Sequence, residues 1–94
     1  MRIVWTVPSA RDLEAIGDYI ARHNPNAAQR TVQRIRRWIQ TLATHPYIGR
    51  PGRVTDTREL VVTSTPFIVA YRVVDDRIEI LAVFHSARIW PDAF

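Results

Sequence analysis

The sequence predicts an α+β fold: an N-terminal strand, then an antiparallel helical hairpin packed on one face of a small antiparallel sheet, in the order β-α-α-β-β-β. Three observations predict it. Apolar residues recur at steps of three and four in two stretches of the first half. They alternate in strand-like runs in the second half. The linkers are short, so consecutive elements must pack as neighbours.

Ile3–Val7 is a short β-rich run and reads as the first strand, closed by Pro8. Ser9, Ala10, Arg11 and Asp12 fit a capping box with Asp in place of Glu, and Asp12 and Glu14 favour the positive end of the helix dipole. Ala10, Leu13, Ile16 and Ile20 then share one helical face. Gly17 costs this helix up to about 1 kcal/mol relative to Ala, and close approach of a neighbouring helix is the expected return. Asn24 caps a second helix that opens on Pro25, which needs no amide donor there, and runs to about Thr44 before Pro46. Its apolar stripe is Ala28, Val32, Ile35, Ile39 and Leu42. Arg30, Arg34 and Arg37 cluster almost opposite.

Pro46 to Thr57 is a loop punctuated by Gly49, Pro51 and Gly52, and it carries Arg50 and Arg53. Strands are expected over Arg58–Thr63, Phe67–Val74 and Arg77–His85, with Asp75-Asp76 as a two-residue turn. That turn sets Val74 opposite Arg77, Arg72 opposite Glu79, Tyr71 opposite Ile80 and Phe67 opposite Phe84. Phe67, Val69, Tyr71, Val73, Ile78, Ile80, Ala82 and Phe84 then form an apolar face for the hairpin to cover. Ile68, Ala70, Arg72, Val74, Glu79, Leu81, Val83 and His85 form the reverse face, expected to stay open as a partner site.

Composition narrows the function. The 94 residues carry a net charge of +4, and all 13 basic residues are Arg. A basic chain of this kind expects an acidic partner, nucleic acid or protein, and Arg grips phosphate or carboxylate in a bidentate fork. There is no Cys, which excludes disulfides and thiolate metal sites and suits a reducing cytoplasm. The chain opens without the apolar run of a signal peptide and has no segment long enough to span a bilayer. His23, His45 and His85 lack metal-ligand spacing, and no phosphate cradle, nucleophile motif or pair of catalytic carboxylates is present. No metal, cofactor or membrane contact is therefore expected.

The chain resembles the RelE/ParE toxin superfamily over essentially its whole length, and its ParE branch in particular. The resemblance is carried by Ala10-Arg11-Asp12-Leu13 with Ile16, Tyr19 and Ile20; by Asn24-Pro25 with Ala27-Ala28; by Pro46-Tyr47-Ile48-Gly49-Arg50; and by Arg58-Glu59-Leu60. It continues through Pro66-Phe67-Ile68-Val69-Ala70-Tyr71-Arg72-Val73 and Ile80-Leu81-Ala82-Val83-Phe84-His85-Ser86-Ala87-Arg88. It implies one toxin domain over residues 1–94, with residues 86–94 as a tail that is mobile, folds back or meets a partner. RelE-type members cut messenger RNA on ribosomes with basic sheet residues and a tail Tyr, whereas ParE-type members inhibit DNA gyrase. Counting outward from Tyr71, the two Lys positions of the nucleases hold Glu59 and Val61, the sheet Arg position holds Ile68, and the tail Tyr position holds Phe94; the tail Arg is kept as Arg88. Phosphodiester cleavage needs proton-transfer groups as well as positive charge, and one Arg supplies only the charge.

The resemblance thus implies a cytoplasmic gyrase inhibitor without catalytic residues, in a hetero-oligomer with a ParD-like antitoxin and in touch with operator DNA only through that antitoxin. The target-binding candidates are Arg72, His85, Arg88 and Trp90. The antitoxin-binding candidates are Arg30, Arg34, Arg37, Arg58, Leu81 and Val83, and the three arginines of the second helix suit either an acidic antitoxin segment or nucleic acid. Two other readings stand beside this one: a ribosome-dependent mRNA nuclease using Arg72, His85 and Arg88, and a non-toxic binding module kept as a co-repressor.

Overall fold

The computed structural model describes residues 1–87. Strand β1 spans Arg2–Trp5, α1 Val7–Ala21, α2 Pro25–Thr41, β2 Arg50–Pro51, β3 Arg58–Val61, β4 Phe67–Val74 and β5 Arg77–His85. The sheet order is β1-β5-β4-β3-β2. It is mixed, because β1 lies parallel to β5 while the other neighbours are antiparallel. The two-residue β2 was not foreseen; it lies within the expected loop.

Helix α1 begins earlier than the sequence suggests. Pro8 sits in the first turn and opens the helix instead of closing a strand, because a first-turn residue needs no amide donor. The cap is Thr6, not Ser9: its hydroxyl oxygen accepts from the Ser9 amide at 3.3 Å and donates to the Ile80 carbonyl at 2.7 Å. Ser9 is fully buried and returns a bond to the Thr6 carbonyl at 2.8 Å. Helix α2 starts as expected, with the Asn24 side chain accepting from the Ala27 amide at 3.0 Å. It ends at Thr41, short of Thr44, because Leu42, Ala43 and Thr44 donate to carbonyls three residues back and tighten the last turn. The helices approach closely at Gly17, where a Cβ would stand 3.2 Å from Val32 Cγ2.

Leu13, Ile35, Ile39 and Leu42 of the hairpin pack on Leu60, Val62, Val69, Tyr71, Ile78, Ile80 and Val83 of the sheet, with Trp5 and Trp38 at the margin. The β4–β5 hairpin keeps the expected register from Val74↔Arg77 to Tyr71↔Ile80. Beyond that it slips by one: Ala70 faces Ala82, and Phe67 faces His85 rather than Phe84. Leu81 is the extra residue, a β-bulge in β5. The slip reverses the facing of everything after it. Val83 turns into the hairpin core, while Ala82 and Phe84, assigned to that core by simple alternation, join the reverse face.

That reverse face is not open throughout. Ile68, Ala70, Leu81 and Phe84 pack into a second cluster, each no more than 9% exposed. Arg72 and Val61 on the same face stay exposed. The bulge also leaves the Val83 amide outside the regular ladder on the side where β1 has ended, and the Asp12 carboxylate accepts it at 3.1 Å. Asp12, expected in a capping box, is a tether between α1 and β5.

Candidate binding surface

The exposed margin of the sheet is built around the loop from Pro46 to Arg53. Tyr71 on β4 is fully buried, and its hydroxyl donates to the Pro46 carbonyl at 2.8 Å and accepts from the Gly49 amide at 2.9 Å. Burial pushes the phenol pKa up, against the opposing pull of the Gly49 amide and the Arg58 charge. Position 49 admits only glycine, since a Cβ would lie 2.6 Å from the Tyr71 hydroxyl and 2.9 Å from the Glu59 carbonyl oxygen. Arg58 clamps the loop from β3, donating to the Gly49 carbonyl at 2.8 Å and the Tyr47 carbonyl at 3.2 Å, with its guanidinium 5.0 Å from the Tyr47 ring centre.

Glu59, the adjacent residue of β3, is 2% exposed. Its carboxylate accepts from Arg50 Nη2 at 2.9 Å, Arg50 Nε at 3.2 Å and the Arg53 amide at 3.3 Å. These bonds hold the loop as a firm ridge with Tyr47 and Ile48 outward. Two hollows flank it. A groove of about 650 Å³ runs past Tyr47, Arg58, Arg72 and Asp75, and a hollow of about 310 Å³ lies among Trp38, Ile48, Arg50 and Val61. Strand β2 pairs only with Arg58 and Glu59, so the outer margin of β3 beyond them, at Leu60 and Val61, has no β2 partner.

At the turn end of the hairpin, Glu79 bridges two arginines: Arg72 Nε at 2.6 Å and Arg77 Nη2 at 3.1 Å. Hydrogen bonds from Arg72, then Arg77, hold the Glu79 carboxyl below the usual carboxylate range. A carboxyl depressed in the fold adds stability above its unfolded pKa and loses it as pH falls through the folded value. Accordingly, Glu79 titrated by carbon-13 NMR is expected below a free Glu, and Arg72→Gln should move its midpoint upward; an unchanged midpoint would assign the shift to Arg77 alone.

The site residues foreseen from sequence do not gather in one place. Arg72 lies on the reverse face, paired with Glu79. His85 was expected to share that face, but the bulge turns it to the other side, where its ring meets Phe67 edge-on at 5.8 Å and its Nδ1 accepts from the Ala87 amide at 3.1 Å. Arg72 and His85 therefore cannot act together on one group. Leu81 lies in the second buried cluster and Val83 in the main core, so neither presents an open contact as expected. Arg58 borders the groove, and Arg30, Arg34 and Arg37 are exposed along α2. Arg88 and Trp90, together with most of the expected tail, lie outside the described residues. Among the described residues no cluster of His, Asp or Glu could hold a metal ion, and no helix is long and apolar enough to cross a membrane. Sequence reasoning missed the Tyr71 clamp on the loop. The signal available was a Tyr on an apolar face, since a buried hydroxyl needs partners.

A strand, a helical hairpin and a meander, with an arginine-bearing loop locked on the sheet margin, make up the layout that the resemblance to RelE/ParE toxins implies. The model of the family described as "ParE toxin of type II toxin-antitoxin system, parDE" matches residues 3–90. A putative toxin, Y4kP, of Sinorhizobium fredii is 47% identical over 90 residues, covering 96% of this chain and 93% of that protein. Toxin RelE2 of Caulobacter vibrioides is 40% identical over 88 residues, covering 94% and 98%. A solved structure of a chromosomal ParDE toxin–antitoxin system from P. aeruginosa superposes with a TM-score of 0.83 at 32% identity, over 90% of this chain and 95% of that one. The chain belongs to the ParE toxin family of type II toxin–antitoxin systems.

Proposed function

We propose that this ParE-type toxin arrests growth by binding DNA gyrase, with no bond-breaking chemistry of its own, and that a ParD-like antitoxin neutralises it in the cytoplasm. The observation that carries the first part is Glu59. Where the resemblance places a nuclease Lys, β3 holds a carboxylate committed to Arg50 and the Arg53 amide. A buried carboxylate already paired with Arg50 can neither hold a phosphate nor stand in for the missing Lys ammonium. The neighbouring nuclease positions hold Val61, exposed and apolar, and Ile68, buried. The bulge falls in β5, so these assignments rest on the regular β3–β4 ladder.

For the antitoxin, the ridge of Tyr47 and Ile48, the groove beside Arg58 and the unpaired margin at Val61 together offer apolar anchors, a cation and free strand edge. An antitoxin segment that adds a strand or lays down a helix uses those features. The candidates for the target contact remain Arg72, His85, Arg88 and Trp90, with Arg72 and His85 on opposite faces of the sheet.

One experiment separates this reading from a RelE-like nuclease, which the name of the Caulobacter relative favours. Purified toxin is added to a gyrase supercoiling assay and, in parallel, to in vitro translation. Lost supercoiling with intact message is expected, and Arg88→Ala should weaken the loss. Cleaved message with normal supercoiling would reject the proposal. Normal growth on induction of confirmed folded protein would favour the non-toxic co-repressor instead.

A further inference from the structure

Helix α2 carries four arginines and no acid along its length. Arg36 is drawn aside, its guanidinium 5.8 Å from the Trp5 ring centre. Arg30, Arg34 and Arg37 are exposed. They fall within an arc roughly 60° wide and span about 10 Å of helix axis. Among the described residues no hydrogen bond or ion pair engages any of the three; the described ion pairs all lie in the sheet and its loop. The core and the fold make no use of them.

The surroundings of the stripe tell which partner it fits. Among the described residues the exposed large hydrophobics are Met1, Val7, Tyr19, Tyr47, Ile48 and Val61, and none is on α2. Asn26, Gln33 and Thr41 flank the arginines instead. A protein interface sets its charges around a desolvated apolar or aromatic anchor. A row of cations without an anchor matches a polyphosphate, where contacts are electrostatic and position the partner without reading it. B-DNA advances about 3.4 Å per phosphate along each strand, so a stripe of about 10 Å meets roughly three phosphates with its three arginines.

We propose that the exposed face of α2 contacts the phosphate backbone of duplex DNA directly, through Arg30, Arg34 and Arg37. This departs from the expectation that the toxin touches DNA only through its antitoxin. It is independent of the gyrase reading, since the contact is tested with DNA alone.

The test uses the full chain and a fluorescent 20-base-pair DNA of arbitrary sequence, followed by anisotropy at a series of salt concentrations. The triple variant R30Q/R34Q/R37Q is compared with R2Q/R11Q/R22Q, which removes the same charge elsewhere. The α2 variant is expected to bind at least about tenfold more weakly, with a salt slope less negative by about 2.7, from roughly 0.9 per phosphate contact. The control triple is expected to lose much less. Equal losses in the two triples would reduce the effect to net charge and overturn the proposal, as would absence of binding by the unsubstituted chain. Stripe-dependent binding of poly-glutamate as tight as that of DNA would assign the face to an acidic protein, and equal binding of duplex RNA would remove the preference for DNA. Circular dichroism of both triples checks that the fold persists.

Discussion

Tyr71→Phe is expected to lower the thermal midpoint by about 10–20 °C, although it removes a single oxygen atom. The phenol is fully buried and its hydroxyl serves two backbone groups, the Pro46 carbonyl and the Gly49 amide. Removing the hydroxyl orphans both, and an unsatisfied buried group costs about 1–3 kcal/mol. A combined loss of about 2–3 kcal/mol corresponds to that shift at roughly 4–8 °C per kcal/mol for a chain of this size. The loss should concentrate in the loop, so amide exchange at Gly49 should accelerate more than at core positions such as Ile80. A midpoint within about 3 °C of the parent would mean that water takes over both bonds, and the loop would then not be held by Tyr71.

Arg50→Ala is expected to cost about 2 kcal/mol, and adding Glu59→Leu should recover most of it. Glu59 is 2% exposed while Arg50 is 54% exposed, so the pair is neither a surface bridge nor a fully buried one. An exposed bridge contributes at most about 1 kcal/mol. Here, however, losing the arginine leaves a buried carboxylate with only the Arg53 amide among the bonds that hold it now. The penalty belongs to the stranded charge, which is why an apolar residue at 59 should relieve it. Urea denaturation of the two single variants and the double variant gives the coupling. A cost below about 0.5 kcal/mol with no coupling would reduce the pair to a surface contact.

Much of the fold was legible because its local rules agree. Asn24-Pro25 marked the start of α2, Gly17 marked the crossing with Val32, and Asp75-Asp76 set the turn; Asp75 takes the positive φ, 54°, that such turns require. The bulge was not legible. Ile80, Leu81, Ala82, Val83 and Phe84 form an unbroken apolar run, so no polar residue marks which side faces solvent or where an extra residue enters. That one slip misplaced Phe84, Val83 and His85 together and made Arg72 and His85 look like neighbours. The start of α1 was misread because Pro8 serves equally to end a strand or open a helix, and the Thr6 hydroxyl that decides the matter has its second partner, Ile80, far along the chain. The site was legible as a set of residue types and not as a place: the Glu59 and Tyr71 networks join β3 and β4 to a loop over 20 residues away from Tyr71, which periodicity does not report.

The bond from Asp12 to the Val83 amide has an evolutionary consequence. An extra residue in β5 and an acid on α1, 71 positions apart, are coupled through one backbone amide. Deleting Leu81 alone restores an even strand but presents the carboxylate with the wrong neighbour; replacing Asp12 alone strands an amide. Losing either one alone is therefore expected to cost more stability than losing both, so relatives with the longer strand are expected to carry the acid.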